Sequence, residues 1–327
     1  MKKATASSIF IAAMLLAVPE LAEAQQPAKI PRIGILVWAS GSMLSNRIEA
    51  FRQRLRELGY VEGKNIAIDY RYAEGKRERL SDLAAELVRL KVDVIVTGGT
   101  APASVSKKAT ATIPIVFSTA NDPVGDNLVS SLARPGGNIT GLSIMASDLD
   151  GKRLELLKEA FPHIARVAFL LPGSSRGKEI LTEMEGTAKA LRLKLISLEL
   201  RNLEDLDSAF ARSKSERAQA LITTLSGQIA TQQRQVLDFA AKNRLPAMYP
   251  YSEFVEAGGL MSYAPDQTDS WQRAADFVDR ILKGTKPADI PVEQPKKFEF
   301  IVNLKAAKQI DLTIPPNVLV RADRVIK

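Results

Sequence analysis

The chain has 327 residues, 46% hydrophobic and 25% charged, a balance suited to one or two packed domains. It has no cysteine and one histidine, His163, which excludes disulfides, thiolate nucleophiles and cysteine zinc sites and leaves little scope for histidine acid–base catalysis. The net charge is +8, yet basic and acidic residues alternate along 47–57 and 77–91 as on solvated helix faces, and no basic block with interleaved aromatics marks a nucleic-acid surface.

Residues 1–24 read as a cleavable export signal. Lys2 and Lys3 precede an apolar run, 9–18, that is too short to cross a membrane. Pro19 ends the run, and Ala22-Glu23-Ala24 has the small-x-small pattern of a cut before Gln25. With no cysteine after the cut a lipid anchor is excluded, and a bacterial periplasm is the expected compartment.

From residue 32 onward short apolar runs alternate with amphipathic ones. Strands are predicted over 32–38, 65–72, 92–97, 113–117 and 138–144, and helices over 45–60, 78–90 and 101–109. Ile48, Phe51, Leu55 and Leu58 share one helical face, as do Leu80, Leu83, Leu87 and Leu90. Such alternation implies a parallel sheet with right-handed crossovers and helices on both faces. The pattern then restarts. Helices are predicted over 149–161, 178–191, 203–211 and 229–243, and strands over 166–171, 194–200, 220–225 and 246–251. The tail adds a strand at 259–264, a helix at 269–282, an extended stretch at 287–295, a strand at 298–302 and a short helix at 304–309. It reads as a chain returning across both units. The expected architecture is two α/β lobes joined by several crossings, with a cleft between them.

Ligands of open parallel sheets bind beyond the carboxyl ends of the strands. Those positions hold Trp38 and Ser40, then Gly98-Gly99-Thr100-Ala101-Pro102, then Asn121-Asp122-Pro123. In the second unit they hold Ser174 and Ser175, Ser226, and Tyr249 with Tyr251. The two glycines permit close backbone approach. Thr100 can cap the following helix, Pro102 suits its first turn, and the free N–H groups there suit a carboxylate. The same segment also serves as a plain strand-to-helix turn. Asp122 can receive an ammonium or hydroxyls, although Asn, Asp and Pro are equally ordinary turn formers. Trp38, Tyr249 and Tyr251 offer an aromatic wall, or simply core. His163, at a helix end, reads as structural. Dinucleotide-binding, P-loop, nucleophile-elbow and metalloprotease motifs are absent, and the carboxylates are scattered. No catalytic residue, metal ligand or cofactor is expected.

Several runs carry a resemblance. They are Pro114-Ile-Val-Phe117, Asp122-Pro-Val-Gly125, Ser131-Leu-Ala-Arg-Pro-Gly-Gly-Asn138, Gly258-Gly-Leu-Met-Ser-Tyr263, Val278-Asp-Arg-Ile-Leu-Lys-Gly284, Ile290-Pro-Val-Glu-Gln-Pro295 and Leu312-Thr-Ile-Pro-Pro316. Over essentially the whole mature chain the sequence resembles the ABC-transporter substrate-binding proteins of the tryptophan/tyrosine type. The resemblance implies a type I periplasmic-binding-protein fold: two Rossmann-like lobes with parallel sheets and a three-crossing hinge. It implies a first lobe of 31–144 plus 264–288 and a second of 145–263 plus 289–327. A ligand carboxylate would then meet Gly98–Thr100, with Asp122 facing an ammonium. Pro172-Gly173-Ser174-Ser175 departs from the Asn-Pro-x-Asn run common in relatives. The implied function is capture of a small ligand, an amino acid or aromatic acid, and its delivery to the transmembrane permease subunits of an ABC importer. The protein is then a monomer without nucleic-acid partners and is not inserted in the membrane after signal cleavage. Alternatives are a periplasmic sensor presenting its ligand to a receptor and an exported α/β enzyme, which would lack a histidine partner. A LacI-type effector domain would need a helix-turn-helix where the export signal stands.

Overall fold

Strands β1 (Arg32–Val37), β2 (Ala67–Tyr72), β3 (Val94–Gly98), β4 (Ile115–Ala120) and β5 (Ile139–Ser143) form one parallel sheet, ordered β2-β1-β3-β4-β5. The computed structural model from which they are taken describes residues 29–144, 146–202 and 204–327; the export signal read over 1–24 lies outside these. Helices α1 (Ser45–Glu57), α2 (Arg79–Arg89) and α3 (Thr100–Ala109) connect the strands. The central strands are continuous apolar runs because helices cover both sheet faces. Ile33, Ile35 and Val96 pack under Phe51 and Leu55 of α1 on one face. Leu36, Ile95 and Phe117 pack under Leu83 and Leu87 of α2 on the other. Gly34 lets α2 approach closely, since a Cβ there would meet Leu87 at 2.8 Å.

The second unit begins with α4 (Ala146–Ala160), β6 (Arg166–Pro172), α5 (Ser175–Ala190), β7 (Lys194–Leu200), α6 (Asp205–Ser215) and β8 (Ala220–Thr223). It continues with α7 (Gly227–Thr231), α8 (Gln233–Lys242), β9 (Ala247–Tyr249), α9 (Ser252–Glu256) and β10 (Met261–Pro265). After α10 (Gln267–Leu282) come β11 (Phe298–Asn303), α11 (Leu304–Gln309), α12 (Pro316–Leu319) and β12 (Arg324–Ile326). The seven-stranded sheet is ordered β12-β11-β10-β9-β8-β6-β7.

Three features differ from the expectation. The predicted helix over 229–243 is two helices, broken at Gln232. Helices α9 and α12 and strand β12 are too short to show a period. The sheet is also not wholly parallel, because β11 runs antiparallel to β10. The excursion through α10 explains this. The chain leaves β10 at its carboxyl end, visits the first lobe and re-enters at that same end.

Helix α10 is reached from the second sheet but packs on the first. Trp271 meets Phe51 edge-on with ring centroids 6.1 Å apart, Arg54 pairs with Asp276 at 2.8 Å, and the Tyr60 hydroxyl donates to Asp279 at 3.0 Å. Asp266 caps α10 by accepting from the N–H groups of Thr268 and Asp269. The chain thus crosses between the lobes three times: from β5 to α4, from β10 to α10, and along 290–298. The third crossing is pinned to the first, with the Ser143 N–H donating to the Glu293 carbonyl at 2.8 Å and the Glu293 N–H to that of Gly141 at 3.0 Å. Among the described residues, no helix is long and apolar enough to cross a membrane.

Candidate ligand cleft between the lobes

A cavity of about 360 Å³ lies where the carboxyl ends of the two sheets face each other. Of the residues singled out in the sequence, Trp38, Gly98, Gly99, Thr100, Asn121, Ser226 and Tyr251 line it. Ser40, Asp122, Ser174 and Tyr249 do not, and the Ser175 side chain lies outside the described residues.

The register of β3 against β4 shifts between Thr97 and Gly98, so the strand bends as it reaches the cavity. Gly99 then takes φ 105°, a left-handed value suited to glycine, and is itself the N-cap of α3. Thr100 is therefore not the cap expected of it. Its hydroxyl accepts the Asn121 N–H at 3.0 Å and ties the loop after β4 to the start of α3. The first-turn N–H groups of α3 have no partner within the helix and carry its positive end.

Asp122 is folded into its own turn. One carboxylate oxygen accepts the Gly125 N–H at 2.9 Å, and the other lies 3.6 Å from Arg176 Nη2 on the opposite lobe. It bridges the lobes outside the cavity wall instead of facing into it. Tyr249 is core: it is 1% exposed and stacks on Phe254 at 4.9 Å, and burial drives its phenol pKa upward. Ser174 caps α5 by accepting the Gly177 N–H at 3.3 Å, and the Ser40 hydroxyl lies 3.0 Å from that of Ser42 on the exposed rim.

Contacts cross the cleft on several sides. Asn121 Nδ2 donates to the Leu225 carbonyl at 3.3 Å. Arg47 of α1 forms a short ion pair with Glu253 of α9, and its guanidinium carbon stands 6.0 Å from the Tyr251 ring centroid. Trp38 lies against Gly227, where a Cβ would meet the indole at 3.2 Å. The lobes are therefore closed on the cavity. Burial raises the Tyr251 phenol to about 12, so it stays neutral at ordinary pH.

Arg47, Arg77, Arg176, Glu253, Gln267 and Trp271 also line the cavity and were not singled out in the sequence. Arg47 and Arg77 belong to runs of alternating charge that look like solvated helix faces. Arg176 was within reach of the argument, since it follows the β6 strand end by four residues. Its partners Asp122, Glu179 at 3.1 Å and Glu183 at 3.8 Å surround it from outside the cavity. No group of three His, Cys, Asp or Glu side chains able to hold a metal occurs among the described residues.

An aromatic-walled cavity at facing strand ends, closed from both sides and backed by three chain crossings, defines a two-lobed solute-binding protein of the type I periplasmic-binding-protein fold. The chain belongs to the ABC transporter substrate-binding protein family, whose pattern it matches over residues 32–326. It is 27% identical over 285 residues to the tyrosine-binding protein of Clostridioides difficile (strain R20291), covering 87% of this chain and 82% of that protein. The crystal structure of a conserved domain protein from Vibrio cholerae matches it with a TM-score of 0.85 and 28% identity, over 91% of this chain and 100% of the other. The structure of an ABC domain from Streptococcus pneumonia in complex with L-Trp matches with a TM-score of 0.84 and 27% identity, over 90% and 99% of the two chains.

Proposed function

We propose that this chain is the solute-capturing component of an ABC importer. It is exported to the periplasm, works as a monomer, binds one small ligand and releases it unchanged to a membrane permease. The observation that carries this reading is the cavity itself, whose wall is drawn from both lobes, so that a ligand touching both favours closure. The two clamping bodies follow the expected bounds, 31–144 plus 264–288 and 145–263 plus 289–327, except that β10 keeps residues 264–265 in the second sheet while Ile290 and Val292 pack in the cores of the first.

The ligand is an amino acid or an aromatic acid. Trp38, Tyr251, Phe254 and Trp271 supply flat apolar surface, while the α3 amino end and Arg47 supply donors for a carboxylate. Two relatives support this range, one named for tyrosine and one crystallised with L-Trp. Asp122, turned away from the cavity, is not needed in this reading as the ammonium partner. The carboxylate that does line the wall, Glu253, is bound to Arg47.

Isothermal titration against the amino acids and a set of aromatic acids tests the proposal. One ligand per chain, recovered unmodified, is the expected result. Heats indistinguishable from buffer across the whole panel would remove the ligand assignment, and substrate consumed in excess of protein would make the chain an enzyme.

A further inference from the structure

The second lobe contains a charged pair that does not line the cavity. Asp150 and Arg153, both on α4, have fully buried side chains. One oxygen of the carboxylate accepts from Arg153 Nη1 at 2.6 Å, and the other accepts the Thr224 hydroxyl at 2.5 Å. Arg153 Nε donates to the Tyr263 carbonyl at 2.7 Å. Arg153 Nη2 is buried with no acceptor among the described residues. Desolvation dominates at both groups, raising the carboxyl pKa and lowering that of the guanidinium against their mutual attraction.

A pair like this is a poor stabiliser. Desolvation largely offsets the attraction, and apolar replacement of both partners is often neutral or better. Its connections suggest another role. Thr224 directly precedes Leu225 and Ser226 on the cavity wall, and the Leu225 carbonyl takes the cross-lobe bond from Asn121. Tyr263 lies in β10, two residues before the strand ends at the second crossing. Helix α4 begins where the first crossing arrives. The pair therefore joins two of the three crossings to one wall of the cleft.

We propose that Asp150 and Arg153 are positioning residues, a buried brace that sets the pivot of the lobes and the seat of Leu225 and Ser226. They govern how the cleft closes more than how firmly the lobe folds. The proposal rests on the two-lobed clamp described above.

The chain's lack of cysteine makes a direct test available. Lys108→Cys on α3 and Glu185→Cys on α5, both exposed, place one spin label on each lobe. Distances are measured without ligand and with L-tyrosine, L-tryptophan and benzoate, in the labelled parent and in the same chain carrying Asp150→Leu and Arg153→Met. Replacing both partners avoids a lone buried charge. The expected result is a melting midpoint within about 3 °C of the parent, a shifted or broadened interlobe distance, and at least about tenfold weaker binding of whichever probe binds the parent. An unchanged unliganded distance overturns the proposal, and so does a distance change that appears only with loss of folded protein. If the double variant does not fold, Thr224→Val carries the test: a changed distance at an unchanged midpoint supports the brace, and an unchanged distance overturns it. A parent distance that none of the three probes moves counts against the ligand assignment. The brace is still judged by comparing the unliganded variant and parent.

Discussion

Replacing Gly227 with valine should hold the lobes apart. Gly227 begins α7 in the second lobe, and its ideal Cβ would lie 3.2 Å from Cγ and 3.3 Å from Cδ1 of Trp38 in the first. All three of the nearest atoms belong to that one indole, so the added bulk first meets the opposite lobe. Overpacking of such a contact costs about 1–3 kcal/mol. Because the strain exists only when the cleft is closed, it falls on binding and not on folding. At about 1.4 kcal/mol per decade, affinity should drop roughly 5- to 150-fold while the melting midpoint moves by no more than about 2 °C. Gly227→Ala, whose single methyl needs the indole to yield only slightly, should lose far less. Titration of the tightest panel ligand, read beside a thermal melt, checks both variants. Valine binding as well as glycine, or losing affinity only in step with stability, would refute a closure set by this contact.

Other perturbations separate the contributions to closure and fold. Arg47→Met removes the bridge to Glu253 and the charge over Tyr251, and should weaken ligand binding by about 1 kcal/mol. The difference should shrink in 1 M salt, as titrations at two ionic strengths would reveal. Asp266→Ala uncaps α10 at the second crossing and should reduce stability by about 0.5–2 kcal/mol, seen as a lower urea midpoint. Tyr60, Tyr70 and Tyr251 all titrate at about 12 in the folded chain, above the ordinary value of 10.0. Their neutral forms favour the folded state, so their contribution is complete below pH 10 and is lost as the pH rises from about 10 to 12. Urea melts across that range should show declining stability, and Tyr251→Phe should reduce the slope.

Much of the clamp was legible in one dimension. The alternation of Arg32-Ile-Gly-Ile-Leu-Val-Trp38 with amphipathic stretches foretold the first sheet, and reading past each strand end found seven residues of the cavity wall. Local composition could not show which way neighbouring polar side chains turn. Asn121 and Asp122 are neighbours, but one crosses to the Leu225 carbonyl while the other closes its own turn on Gly125. Arg47 and Glu253 are 206 residues apart, and Arg47 sits in a run of alternating charge that looks solvated, so only folding reveals them as partners. The direction of β11 was likewise hidden, since it depends on the end at which a returning chain re-enters the sheet.

The placement of α10 affects the order in which the molecule can be assembled. Trp271, Ala274, Phe277 and Val278 share a core with Ile33, Phe51 and Val94, although more than 170 residues separate the two groups. The lobe that emerges first during synthesis is thus completed only when most of the chain has followed. A fragment ending near residue 144 lacks the helix that covers one side of its sheet, so that apolar face stays open until α10 has been made.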